Sequence, residues 1–256
     1  MTLTSPSDLV LRSALRSATV RRRIAPLIRT TPVLSSRMML PKGAELFYKT
    51  ENFQLTGSFK LRGATAKLTS LPTDRPVITA STGNHGIACS MAAQKTGHDL
   101  TVVVPENVIA QKRQKIKSYG TRLITEGADG VFAENHARAL AAEHGYCYVS
   151  PYNDAEVIAG QGTIGLELLE QLPRIDNLFI SMGGGGLISG IGAVIKSISP
   201  DTRIIGVSAT NSAALAACIR AGKIVETEHL DALADGVAGG VDADSITLPM
   251  ASEVID

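Results

Sequence analysis

The sequence has almost no excess of charge of either sign: Lys plus Arg is 25 against 24 for Asp plus Glu. A broad nucleic-acid surface needs a clustered positive excess, so that class of partner is excluded. Cysteine is scarce. Cys89, Cys147 and Cys218 lie far apart, with no CxxC pair and no metal-ligand spacing. A disulfide framework is therefore not expected, and a reducing, cytoplasmic compartment fits. No apolar run is long enough to span a bilayer, so no membrane role is read. Low-complexity segments, long repeats and compositionally distinct linkers are also missing. The chain does have length and core material. Its 256 residues, 44% of them hydrophobic, suit one large domain or two small ones.

The N-terminal stretch is locally basic. Residues 1–29 carry Arg12, Arg16, Arg21, Arg22, Arg23 and Arg29, with Asp8 the only acid. That composition is similar to an organelle transit peptide. Leu11, Leu15, Ala18, Val20, Ile24 and Leu27 nevertheless recur at helical spacing, and the pattern runs on without a break into TTPVLSS. A basic amphipathic surface helix is the better reading.

From residue 76 the pattern alternates. Strands are expected at 76–81, 100–105, 121–127 and 146–151, with helices at 85–97, 110–120 and 131–145. Short links between them imply a parallel sheet covered on both faces. A second run follows: helix 161–172, strand 177–181, helix 187–199, strand 203–208, helix 212–222 and a final helix in SITLPMASEVID. The fold class is α/β, with two parallel-sheet units.

Three stretches could carry chemistry. SMGGGGLISG places Gly183, Gly184, Gly185 and Gly186 between a strand and a helix. Glycines let backbone N–H groups approach an anion closely, and the helix dipole favours a phosphate there. No GK[ST] follows and no acidic ribose ligand stands at the required distance, so neither a P-loop nor a dinucleotide fingerprint is present. STGNHG, residues 81–86, also follows a strand and opens a helix. Ser81, Thr82, Asn84 and His85 are either a plain helix cap or a carboxylate cradle. The third stretch is ENFQLTGSFKLRGA, where Lys60 stands between apolar Phe59 and Leu61. Desolvation would lower its pKa and free a nucleophilic amine able to form Schiff bases with carbonyls. Most lysines are simply solvated.

Taken together and in that order along the chain, ENFQLTGSFKLRGA, STGNHG and GGGGLISG resemble the fold-type-II pyridoxal-phosphate enzymes. The closest likeness is to the threonine/serine dehydratase and serine racemase branch. It runs from about Thr31 to the last residue and includes PYNDAEVIAGQGTIGLEL and LADGVAGG. The resemblance implies two open parallel-sheet domains of the tryptophan-synthase-beta-like type, the smaller (74–149) inserted in the larger (1–73 and 150–256). The cofactor would be pyridoxal 5'-phosphate, held covalently by Lys60 with Phe59 against its ring. Asn84 would hydrogen-bond the ring hydroxyl, and Gly183 to Gly186 with Leu187 would hold the phosphate. Ser81, Thr82, Asn84 and His85 would bind the substrate carboxylate. Gln161 and Gly162 would be structural or close to the site. Lys60 would also be the catalytic base, and the reaction would turn a 3-hydroxy amino acid such as threonine or serine into a 2-oxo acid and ammonia. The alternative is an amino-acid racemase. Racemases of this branch have serine at the position of Thr82, and dehydratases often have alanine. A homodimer is the expected assembly.

The sequence departs from the family pattern twice. Many members begin a divalent-cation site with an acidic residue after the strand in RIIGV. Here that position is Ser208, and the matching downstream acid is an alanine near Ala213 or Ala214. Without carboxylates no metal is expected there. Members also usually continue for several dozen residues beyond the position of Asp256. The chain is therefore expected to be C-terminally incomplete relative to that pattern, whether as a fragment, as one half of a completed site or as a non-catalytic relative.

Overall fold

The structure is a computed structural model that describes residues 6–256 except Lys42, Thr82, Asp129 and Asp231. Its elements run α1 (Asp8–Ile24), β1 (Val33–Ser35), β2 (Phe47–Lys49), α2 (Lys60–Leu68), β3 (Val77–Ala80), α3 (Asn84–Thr96), β4 (Leu100–Val104), α4 (Ala110–Lys117) and β5 (Arg122–Thr125). They continue with α5 (Gly130–His144), β6 (Cys147–Tyr148), α6 (Ala155–Gln171), β7 (Asn177–Ser181), α7 (Gly186–Ile198), β8 (Arg203–Val207), α8 (Ala214–Ala221) and α9 (Thr247–Val254).

The first unit is a four-stranded parallel sheet in the order β5-β4-β3-β6. Every residue of β3 and β4 is buried, as expected where helices cover both faces. The period of two sorts them. Val77, Leu100, Val102 and Val104 join a core with Leu61, Leu68, Ala88 and Ile116, whereas Ile78 and Val103 meet Ala133 and Ala137 of α5 on the opposite face.

The second unit carries the parallel pair β7-β8, packed with α1, α6, α7 and α9 around Ile158, Ile188, Ile195, Ile204 and Met250. The alternation seen in the sequence is thus realised in both units. α6 starts six residues earlier than the apolar pattern alone implied, because Asp154 caps it by accepting hydrogen bonds from Glu156 N and Val157 N. The antiparallel pair β1-β2 was not anticipated. Its strands are three residues each, too short to show alternation.

α1 forms as expected, but its buried stripe is different. Val10, Ser17, Val20 and Ile24 are buried, whereas Leu11 and Leu15 are exposed. The small Ser17 is selected because α6 approaches there closely: a Cβ on Gly162 would lie 2.2 Å from Ser17 Oγ.

The placement of α2 matters most for the site. α2 crosses α6 backbone to backbone, since a Cβ on Gly160 would lie 2.6 Å from both Arg62 O and Gly63 Cα. No other residue type fits that crossing without shifting α2, and Lys60 is the first residue of that helix.

Candidate active site

Three loops leave the carboxyl ends of strands and converge. They follow β3 (81–83), β6 (149–154) and β7 (182–185), the place where open α/β sheets form their sites.

Lys60 projects from the start of α2 to the loop after β6, where its Nζ donates to Pro151 O at 2.9 Å. The ammonium lies 5.2 Å from the centre of the Phe59 ring. Burial pushes the amine down from 10.5 to about 8. The lysine is therefore not a solvated surface charge.

His85, in the first turn of α3, is buried and sits on the same strand end. Its Nε2 is 3.1 Å from Val149 O, which sets Nε2 as the protonated nitrogen of a neutral ring. Burial, then the nearby Lys60 charge, push its pKa down to about 3. Cys89, one turn further along α3, places Sγ 3.5 Å from His85 Nε2. Burial pushes its thiol up to about 12, so it stays a neutral neighbour. The structure thus turns the His85 ring into the protein.

Ser81 Oγ accepts from Gly83 N at 3.1 Å, shaping the turn into α3, and Asn84 is exposed at the helix start. Gly83, the residue before the helix, receives no side-chain cap. Thr82 lies outside the described residues.

The glycine run forms the turn from β7 into α7. Gly185 adopts φ +91°, a left-handed conformation that glycine alone tolerates well. Among the described residues, the backbone N–H groups of Gly184, Gly185, Gly186, Leu187 and Ile188 make no hydrogen bond, while the Gly184 carbonyl accepts from Thr247 Oγ1 at 2.7 Å. Five consecutive unpartnered donors at a helix N-terminus suit an anion. Gly185→Ala would set its Cβ 2.6 Å from Leu215 Cδ2 and strain the backbone. The variant is expected to bind a phosphate-bearing cofactor at least about tenfold more weakly, read by titration of the apo-protein.

Gln161 is buried with Oε1 unpartnered and its Nε2 against Gly63 of α2, and Gly162 lies in the α1–α6 contact. Ser208 Oγ donates to Met182 O at 2.9 Å. Among the described residues no group of three or more His, Cys, Asp or Glu could hold a metal ion.

The sequence matches the family described as pyridoxal-phosphate dependent enzyme over residues 24–256. The chain belongs to that family. It is 41% identical over 215 residues to the L-threonine ammonia-lyase of Thermotoga maritima, covering 82% of this chain and 53% of that protein. It is 37% identical over 238 residues to the serine racemase of Oryza sativa subsp. indica, covering 91% and 70%. The solved structure of maize serine racemase superposes with a TM-score of 0.89 at 34% identity, covering 95% of this chain and 74% of that one. The chain thus spans about half the length of the Thermotoga relative. The fold is the fold-type-II one that the motifs implied, and the family cofactor is pyridoxal phosphate. The site's own chemistry fits that group: a desolvated amine for its aldehyde, and unpartnered N–H groups for its phosphate.

Two site residues were not singled out from the sequence, although PYNDAEV was part of the resemblance. Pro151 supplies the acceptor for Lys60. Tyr152 packs on the glycine run, where a Cβ on Gly184 would lie 2.6 Å from its Cδ1. The available signal was position: both follow a strand of the same sheet as STGNHG.

Among the described residues no helix is long and apolar enough to cross a membrane.

Proposed function

We propose that this chain carries a dehydratase-type site that converts a small 3-hydroxy amino acid, such as threonine or serine, into a 2-oxo acid and ammonia. The observation that carries the reading is Lys60: one partly buried residue whose amine has a lowered pKa, bonded to the loop after β6 on which His85 and Gly184 also pack. Pyridoxal phosphate, when bound, supplies an electron sink for negative charge developing at Cα.

The rest falls to the protein. Lys60 Nζ would hold the cofactor and would accept the Cα proton. Phe59 supplies an apolar face beside it. The backbone N–H groups of Gly184, Gly185, Gly186, Leu187 and Ile188, with Gly183 before them, would hold the phosphate. The uncapped start of α3, with Ser81, Thr82, Asn84 and the His85 backbone, receives the substrate carboxylate.

The segment 74–149 would be a smaller domain closing over the substrate and expelling water. In support, the four-stranded sheet lies wholly between Val77 and Tyr148, although Leu61 and Leu68 of α2 also pack on it.

A racemase is the second reading, favoured by the 37% identity to rice serine racemase. It needs a proton donor on the face of Cα opposite Lys60. The deciding experiment reduces the pyridoxal phosphate-loaded protein with borohydride, maps the labelled lysine, and assays hydroxy amino acids for 2-oxo acid release and for change of configuration. A label on Lys60 with oxo-acid release is expected. Label scattered over surface lysines would overturn the proposal, and inversion without oxo acid would favour the racemase.

One pH dependence follows from the buried amine. Below pH about 8 Lys60 is protonated and cannot attack an aldehyde; above it the free amine predominates. The initial rate of labelling the apo-protein is expected to rise about tenfold per pH unit up to that point, then level off. A solvated lysine would keep rising past pH 10.

A further inference from the structure

Tyr152 stands between the two halves of the site. The residue before it, Pro151, accepts the hydrogen bond from Lys60 Nζ at 2.9 Å. Its own ring lies on Gly184 and its backbone on Gly186: Cβ atoms there would lie 2.6 Å from Tyr152 Cδ1 and 2.9 Å from Tyr152 Cα. Tyr152 thus touches the glycine run and directly follows the residue that holds Lys60.

The ring is held at its far end as well. Tyr152 Oη accepts from Asp242 N at 2.8 Å. Burial, then the Asp242 carboxylate, raise the phenol above its ordinary value, so it is a neutral hydroxyl throughout the working range. The carboxylate of Asp242 is fixed in turn by Arg138 Nη2 and Asn153 Nδ2, each at 3.1 Å. Asn153 Oδ1 accepts from Ile246 N at 3.0 Å, and Thr247 Oγ1 reaches Gly184 O at 2.7 Å. Segment 242–247 therefore clamps both the ring and the glycine turn against which the ring lies. An aromatic side chain with two rotatable bonds, fixed at both ends, is a preorganised wall.

We infer that Tyr152 is a cofactor-positioning residue, whose ring sets the separation between the Lys60 amine and the phosphate-binding glycine run. This inference rests on the proposed role of Lys60 as the cofactor anchor. The ring does the positioning, and the hydroxyl only steadies it.

The test compares wild type, Tyr152→Phe, Tyr152→Leu and Tyr152→Ala as apo-proteins. Each is titrated with pyridoxal phosphate by absorbance, and the pH midpoint of the bound chromophore is recorded. Tyr152→Phe keeps the ring and leaves Asp242 N–H unpaired at a partly exposed position, so affinity within about threefold of wild type is expected. Tyr152→Leu and Tyr152→Ala are expected to bind at least about tenfold more weakly, with a displaced chromophore midpoint that a purely structural role would not produce. Tyr152→Leu retains apolar bulk and decides the matter if Tyr152→Ala does not fold. Wild-type affinity and an unchanged midpoint in Tyr152→Leu would overturn the inference. If wild type itself gave no adduct at Lys60, the proposed function would fail; a wild-type adduct with unaltered Tyr152→Leu binding defeats only the role given to the ring.

Discussion

Lys60→Ala is expected to lose turnover of hydroxy amino acids by at least about a thousandfold, together with the borohydride-trapped label. The size of the effect reflects two roles on one atom. Under the proposed function the same Nζ would hold the cofactor and would take up the substrate proton, so one substitution would remove both anchor and base. Folding should survive. Among the described residues the side chain makes one hydrogen bond, to Pro151 O, and its removal relieves a desolvated ammonium. The check pairs kinetics with a melting curve: a near-normal melting temperature with no turnover and no label. Retained label in Lys60→Ala would place the cofactor elsewhere.

Arg62→Ala should act in the opposite way, through stability. Arg62 is wholly buried two residues after Lys60. Its Nε and Nη2 each reach the Glu51 carboxylate at 2.9 Å, and Nη1 reaches Glu167 Oε1 at 2.6 Å. Lys49 Nζ adds a 2.5 Å contact to Glu167 Oε2. Burial by itself would raise the Glu167 carboxyl, but its bonds to Arg62 and Lys49 hold it below the usual range. Two cations therefore balance two carboxylates in the interior.

Removing the guanidinium leaves one lysine against the buried Glu167 and the partly buried Glu51, at a cost of about 3–5 kcal/mol. At this size that is a fall in melting temperature of roughly 10 °C. Arg62→Ala combined with Glu51→Gln leaves the Lys49–Glu167 pair neutral and is expected to recover part of the loss. Arg62→Lys keeps the charge but not the two-sided fork, and should fall between. No recovery in the double variant would show that shape, not charge balance, is what the cluster contributes.

The elements that recur at a clear period were legible in the sequence. β7 lies at residues 177–181 as read, because β-branched and aromatic residues there are bounded by turns on both sides. The lysine and glycine stretches were legible too, since each breaks its local pattern for a chemical reason. What could not be read was direction. His85 and Asn84 are adjacent in sequence, yet one is buried against Val149 O and the other is exposed, and only the turn of α3 onto the sheet decides which. The buried stripe of α1 was misassigned for a similar reason: Leu11 and Leu15 are more hydrophobic than Ser17, but α6 presents Gly162 where only a small partner fits. Tyr152 and Asp242 share a hydrogen bond across 90 residues, a separation that single-sequence patterns do not register.

The buried Arg62 cluster also bears on the order in which the protein assembles. Arg62 has Glu51 nearby, but its second carboxylate partner, Glu167, comes 105 residues later, and the Gly160 crossing that seats α2 comes from the same helix. Everything from β3 to β6 is synthesised in between. During translation the lysine helix has its near partner Glu51 but not its far one until α6 has emerged, so the charge cluster and the seat of Lys60 close in one late, non-local step. Cofactor capture on the ribosome would then begin only after α6 clears the exit tunnel, well after Lys60 itself has been made.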